Sequence, residues 1–155
     1  MEQYVSMTLS SLQLYLSKPG QNHYLRYELA NITTVIIGGI LKNTSNAIES
    51  TLGAGIIRKL NINKLFISAY SFSLEHGLSD FNLYEVELKK LMIENIQKRY
   101  ALIDSSKLEK NSSVSFATPH QIDYLLTDNG ISSDLLAKYQ DSGVQVLMQD
   151  SVSVH

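Results

Sequence analysis

The chain has 155 residues, enough for one domain with a sizeable core. Hydrophobic residues make up 44% and charged residues 18%, the balance of a globular chain. A net charge of -2 without any run of Lys and Arg argues against a stand-alone nucleic-acid binder. There are no cysteines, which excludes disulfides and thiolate metal sites. No apolar stretch is long enough to span a bilayer, and residues 1–16 lack the pattern of a signal peptide, so the cytoplasm is the expected location.

Residues 5–8 read as a strand, and Ser10 or Ser11 caps a short helix that stops before Pro19-Gly20. Residues 32–37 are β-branched and almost entirely apolar, as a buried parallel strand should be, and they stop at Gly38-Gly39. A loop follows to Thr44-Ser45. Residues 46–60 then show helical spacing, with Ile48, Leu52, Ile56 and Leu60 on one stripe. Residues 64–69 form the next strand, and 70–82 read as a long polar loop. Asn82 caps the helix that follows, with Glu85 in capping-box position. The apolar stripe of that helix is Tyr84, Leu88, Leu91, Met92 and Ile96, while Glu87, Lys89 and Lys90 read as helix-surface charges. Residues 99–103 form a third strand, and 108–119 are irregular or a short helix ending at Pro119. Residues 122–127 form a fourth strand, Asp128-Asn129-Gly130 a turn, and Ser132 or Ser133 caps a helix that Gly143 stops. Residues 144–148 form the last strand, and 149–155 a frayed tail.

Alternation of strand and helix demands a largely parallel sheet with right-handed crossovers. Ligands on such sheets sit beyond the carboxyl ends of the strands. The loops after residues 37, 69, 103 and 127 are therefore the ones to search.

Gly38-Gly39 lets a ligand approach the backbone, although a tight turn explains the pair equally well. Asn82 and Glu85 have capping as a complete structural explanation, and Asp80 two residues earlier suits a turn or a ligand acceptor. Lys107 is the sharpest candidate, because its flexible stem can bring a point charge to a phosphate or carboxylate. Asp104 and Ser105 precede it. His23, His76, His120 and His155 have no metal-ligand spacing, and there is no P-loop, nucleophile elbow or dinucleotide fingerprint. The cluster suits a small, polar, anionic ligand and requires no cofactor.

In order, the chain shows Gly38-Gly39, Ser68-Ala69-Tyr70-Ser71, Gly77-Leu78-Ser79, Asn82 with Glu85, Lys89-Lys90, Asp104-Ser105-Ser106-Lys107 and Thr127-Asp128. This set resembles the C-terminal effector-binding domain of DeoR-family transcriptional regulators over about residues 32–148. The resemblance implies an α/β fold, a mostly parallel sheet with helices on both faces, like that of ribose-phosphate isomerases, glucosamine-phosphate deaminases and CoA transferases. It implies one effector-binding domain over residues 1–148, a phosphorylated sugar or related metabolite as effector, and no catalysis. Homo-oligomers without a membrane are expected, with DNA contacted only through an N-terminal helix-turn-helix.

Two departures bear on the pocket. Neither a helix-turn-helix nor the family's first phosphate loop precedes these motifs, so the chain is expected to begin near the domain's second strand. The nearest match to the T-N-S-L segment is Leu9-Ser10-Ser11-Leu12, which adds Ser10 and Ser11 to the ligand candidates. The two glycines of the family's G-A-x-G are Ser68 and Ser71 here. Catalysis by Glu85 or Asp80 as base with Lys107 as electrophile, as in an isomerase or deaminase of the same fold, is the alternative. A domain that only assembles the protein is a third reading.

Overall fold

The computed structural model describes residues 4–7, 40–42, 47–49, 54–94 and 96–148. A five-stranded parallel sheet organises the chain. It comprises β1 (Tyr4–Met7), β4 (Ile62–Ile67), β7 (Ile96–Leu102), β9 (Tyr124–Thr127) and β10 (Val146–Met148), side by side in that order. Each step advances in the same direction across the sheet, and one of its faces is lined by core aliphatics. The register puts Ile67, Ala101 and Leu125 on that face together, all fully buried. Leu65 joins them two residues before Ile67. The opposite face carries Phe66, Tyr100 and Tyr124, whose rings stack in series at 4.9 Å spacings.

Between β1 and β4 lie a hairpin of β2 (Ile40–Lys42) and β3 (Ala47–Glu49), then α1 (Ala54–Ile57). Of the helix expected over 46–60, Ala54–Ile57 is helical, whereas Ala47–Glu49 pairs as a strand. The loop expected over 70–82 is instead a second hairpin, β5 (Ser71–Ser73) with β6 (Gly77–Asp80). Residues expected to be irregular supply its third strand, β8 (Val114–Ala117), which pairs with β6. Pro119 opens a 3-10 turn, Pro119–Gln121, where it was expected to end an element. Hydroxyls, rather than apolar alternation, hide this sheet from a hydropathy reading. Ser71 and Ser79 are fully buried register partners, and their hydroxyls bond to each other at 2.8 Å. Ser71, which stands where the family carries glycine, thus has a partner supplied by Ser79.

Gly77 starts β6 at φ +68, and a Cβ there would lie 1.9 Å from the Ala117 carbonyl oxygen. Only glycine fits that approach of backbone to backbone. Further helices among the described residues are α2 (Leu83–Glu94) and α3 (Ser133–Asp141), the latter capped by Ser132, whose Oγ accepts from the Leu135 N–H. The stripe expected for α2 is corrected. Its buried side chains are Val86, Lys89, Met92 and Ile93, whereas Leu83 and Tyr84 are exposed.

Candidate functional site

The β5–β6 hairpin leaves the carboxyl end of β4 and returns to it, because Ser79 pairs with Ser71 and the Tyr70 N–H donates to the Ser79 carbonyl. This return delivers Asp80 to the carboxyl edge of the sheet, directly before α2. Asn82 caps α2 as expected: its Oδ1 accepts from the Tyr84 N–H at 3.1 Å. Its Nδ2 also donates to Glu85 Oε1 at 3.0 Å.

Lys89 overturns its expectation as a surface charge. It is only 4% exposed, and its Nζ donates to Asp80 Oδ2 at 2.7 Å. Glu85 Oε2 lies 3.7 Å from the same Nζ, one helical turn earlier, and the ammonium stands 5.3 Å above the Phe116 ring. Asp80 is 6% exposed and also accepts the Phe81 N–H at 2.8 Å. Two carboxylates thus surround one ammonium. A legible signal did exist in the sequence. Lys89 falls three residues after Val86 and three to four before Met92 and Ile93, which is the buried stripe of α2.

Asp104, Ser105, Ser106 and Lys107 follow β7, and the last three make a 3-10 turn. Asp104 accepts a hydrogen bond from the Ser106 hydroxyl and lies 3.4 Å from Lys107 Nζ. The Ser106 bond first, and the Lys107 charge after it, hold the Asp104 carboxyl below its usual range. Asp104 and Lys107 are both open to solvent, their side chains 45% and 39% exposed. A further carboxylate, Asp128, fixes the turn from the end of β9. It accepts from the Ser105 N–H at 2.9 Å, the Ser105 hydroxyl at 2.7 Å and the Gly130 N–H at 2.7 Å. A Cβ at Gly130 would lie 2.3 Å from Ser105 Oγ and 2.7 Å from Asp128 Oδ1, so a larger residue would displace this pair. Asp128 and Ser105 were not singled out for this role from sequence; the Thr127-Asp128 pair marked the position but not its partner.

Leu108, next to Lys107, bridges to Phe72 of β5. The lysine turn is thereby seated against β5, one strand away from β6 and its Asp80. The sequence-predicted residues fall into two groups on this edge, Asp80–Asn82–Glu85 and Asp104–Lys107. Ser10, Ser11, Gly38 and Gly39 lie outside the described residues. A cleft of about 540 Å³ opens elsewhere, between Leu74–His76, Glu109–Asn111 and Lys138, and none of the predicted residues lines it. Its charged walls are solvated, and Glu109 is already held by Lys138 and by the Tyr139 hydroxyl at 2.9 Å.

The model of the DeoR C-terminal sensor domain matches residues 23–129. The chain belongs to that family. Its relatives include the transcriptional regulator GolR of Listeria innocua, 41% identical over 75% of this chain and 46% of the regulator. IolR of Bacillus subtilis is 31% identical over 68% of this chain and 42% of its own length. The L-fucose operon activator of Haemophilus influenzae is 29% identical over 71% and 44%. The chain therefore spans about half the length of these curated relatives. The expected α/β class and mostly parallel sheet stand, and a DeoR sensor domain is not an enzyme. Among the described residues, no helix is long and apolar enough to cross a membrane, and no group of three or more His, Cys, Asp or Glu is placed to hold a metal.

Proposed function

We propose that this sensor domain binds a phosphorylated sugar or a similar small anionic metabolite at the carboxyl edge of its sheet. Asp80, Asn82, Glu85, Asp104 and Lys107 would contact it, with Gly38, Gly39, Ser10 and Ser11 as the further candidates from sequence. The whole protein is then a cytoplasmic homo-oligomeric repressor of sugar metabolism that touches DNA through an N-terminal helix-turn-helix. Binding shifts the population of domain arrangements that suit paired DNA heads.

One observation carries the reading. A buried, acceptor-rich cluster and a solvent-accessible lysine border the same small sheet at the ligand edge. Carboxylates accept from sugar hydroxyls, and a lysine on a flexible stem meets a phosphate as a point charge. The relative that activates an L-fucose operon agrees with a sugar-related signal. The test is calorimetry of the full chain against a panel of sugar phosphates, their unphosphorylated sugars and inorganic phosphate. Selective binding of a phosphorylated member is expected. A panel without any binder overturns the reading.

A further inference from the structure

We infer that Glu109 is a positioning residue: it anchors the exit of the lysine turn and so sets where Lys107 meets the anionic group of the effector. The inference rests on the sensor reading above and deepens it by naming what holds that one contact in place.

Among the described residues, Glu109 alone is a non-glycine at positive φ, +52. A side chain in that left-handed region is uncommon, and the conformation persists only where its surroundings over-determine it. Here they do. Leu108, one residue earlier, is buried and bridges to Phe72 of β5. The Phe72 ring meets the Tyr139 ring edge to face at 5.6 Å. The hydroxyl of Tyr139, a fully buried residue of α3, donates to Glu109 Oε1 at 2.9 Å. These contacts close a ring, Leu108–Phe72–Tyr139–Glu109, which ties the chain leaving the turn to both the hairpin and α3. Lys138 donates to the second carboxylate oxygen, Oε2. That pair is open to solvent and contributes little, so the Tyr139 bond is the fixed one. Burial raises the Glu109 carboxyl, but the bonds from Lys138 and Tyr139 outweigh it and hold it below its ordinary value of 4.5. Glu109 is therefore a charged acceptor at neutral pH.

The entry of the turn has its own anchor, because Asp128 accepts both the N–H and the hydroxyl of Ser105. The backbone is thus held at Ser105 before Lys107, and at Leu108 and Glu109 after it. What stays movable is the Lys107 side chain, whose pairing with Asp104 is open to water. A ligand-binding group is only as well placed as the residues that support it, and a backbone fixed in advance lowers the ordering cost of binding. Glu109 acts through the turn and needs no contact with the ligand.

The experiment compares the full chain with Glu109→Ala and with Tyr139→Phe, which keeps the ring against Phe72 and removes only the hydroxyl. In Glu109→Ala, the Lys107 and Leu108 N–H groups, which donate to the Asp104 and Ser105 carbonyls, should exchange with solvent about tenfold faster. The Leu125 N–H in the parallel sheet should stay within about twofold. For the sugar phosphate that binds the unaltered chain best, Glu109→Ala should weaken binding about tenfold in calorimetry. That loss should disappear in the Lys107→Ala background, because Glu109 acts only through this lysine. Unchanged exchange at Lys107 and Leu108, or an affinity loss of equal size with and without Lys107, would mark a merely structural role and overturn the inference. If Glu109→Ala does not fold, Tyr139→Phe is judged by the same two measurements. A phosphorylated panel without any binder for the unaltered chain would instead overturn the sensor reading, and this one with it.

Discussion

Two lysine–aspartate pairs border the carboxyl edge of the sheet, and they differ in nearly everything but composition. Lys89 and Asp80 meet at 2.7 Å with side chains 5% and 8% exposed; Lys107 and Asp104 meet at 3.4 Å with side chains 39% and 45% exposed. In the buried pair both partners have given up water, so each depends on the other. In the exposed pair water and salt screen the attraction, and either partner can leave at little cost. The difference teaches how one edge can both fix acceptors and offer a mobile cation. A buried charge serves as a fixture, and an exposed one stays available to a ligand.

The sharpest way to break the comparison is to remove one cation from each pair. Lys89→Ala strands Asp80 in a buried position and is expected to cost about 3–5 kcal/mol of stability in urea unfolding. A loss below about 1 kcal/mol would make the buried pair no different from a surface one. Next in size is Gly77→Ala. Its φ of +68 and the 1.9 Å approach to the Ala117 oxygen leave no room for a methyl group. The loss should exceed about 1 kcal/mol. Because Gly77 opens the strand that returns Asp80 to the edge, ligand affinity should fall with it. Thermal unfolding and calorimetry on the same sample check both effects.

The parallel sheet was legible because its strands are apolar runs bounded by turns, as in 122–127 and 144–148. The hairpin was not, because it carries Ser71, Ser73 and Ser79, buried hydroxyls that read as loop composition. The cap at Asn82 was readable from the order Asn82, Glu85. Lys89 was misread because a lysine is almost never fully buried unless paired, and its main partner lies across the β6–α2 junction, nine residues away. Asp128 shows the same limit at longer range. Its partner Ser105 is 23 residues away, and only the register of β7 with β9 brings them together. Spacing finds partners within a helix turn; pairs made by topology need the sheet.

Asp128 offers a pH test of intermediate size. The Ser105 N–H first, then the Ser105 hydroxyl and the Gly130 N–H, hold its carboxyl below the ordinary value of 3.8. A lowered folded value means that these bonds contribute stability above about pH 4, and that the contribution is lost as pH falls through the folded value. Stability of the unaltered chain should therefore drop more steeply below about pH 4 than that of Asp128→Asn, the two curves converging in acid. Parallel curves would show that the tether between the lysine turn and β9 contributes nothing.

The smallest expected effect on stability belongs to Lys107→Ala. Its partner Asp104 already accepts from the Ser106 hydroxyl and faces water, so losing the ammonium should change stability by less than about 1 kcal/mol. Affinity for a phosphorylated ligand is where the change should appear. The deficit should be largest at low ionic strength and shrink as salt is raised, because the lost attraction is that of an exposed charge. Calorimetry at two salt concentrations measures it. If Lys107→Ala instead unfolds the domain, or leaves low-salt affinity intact, then the exposed lysine is not the available cation. The division between a fixed buried charge and a mobile exposed one would then fail at its second member.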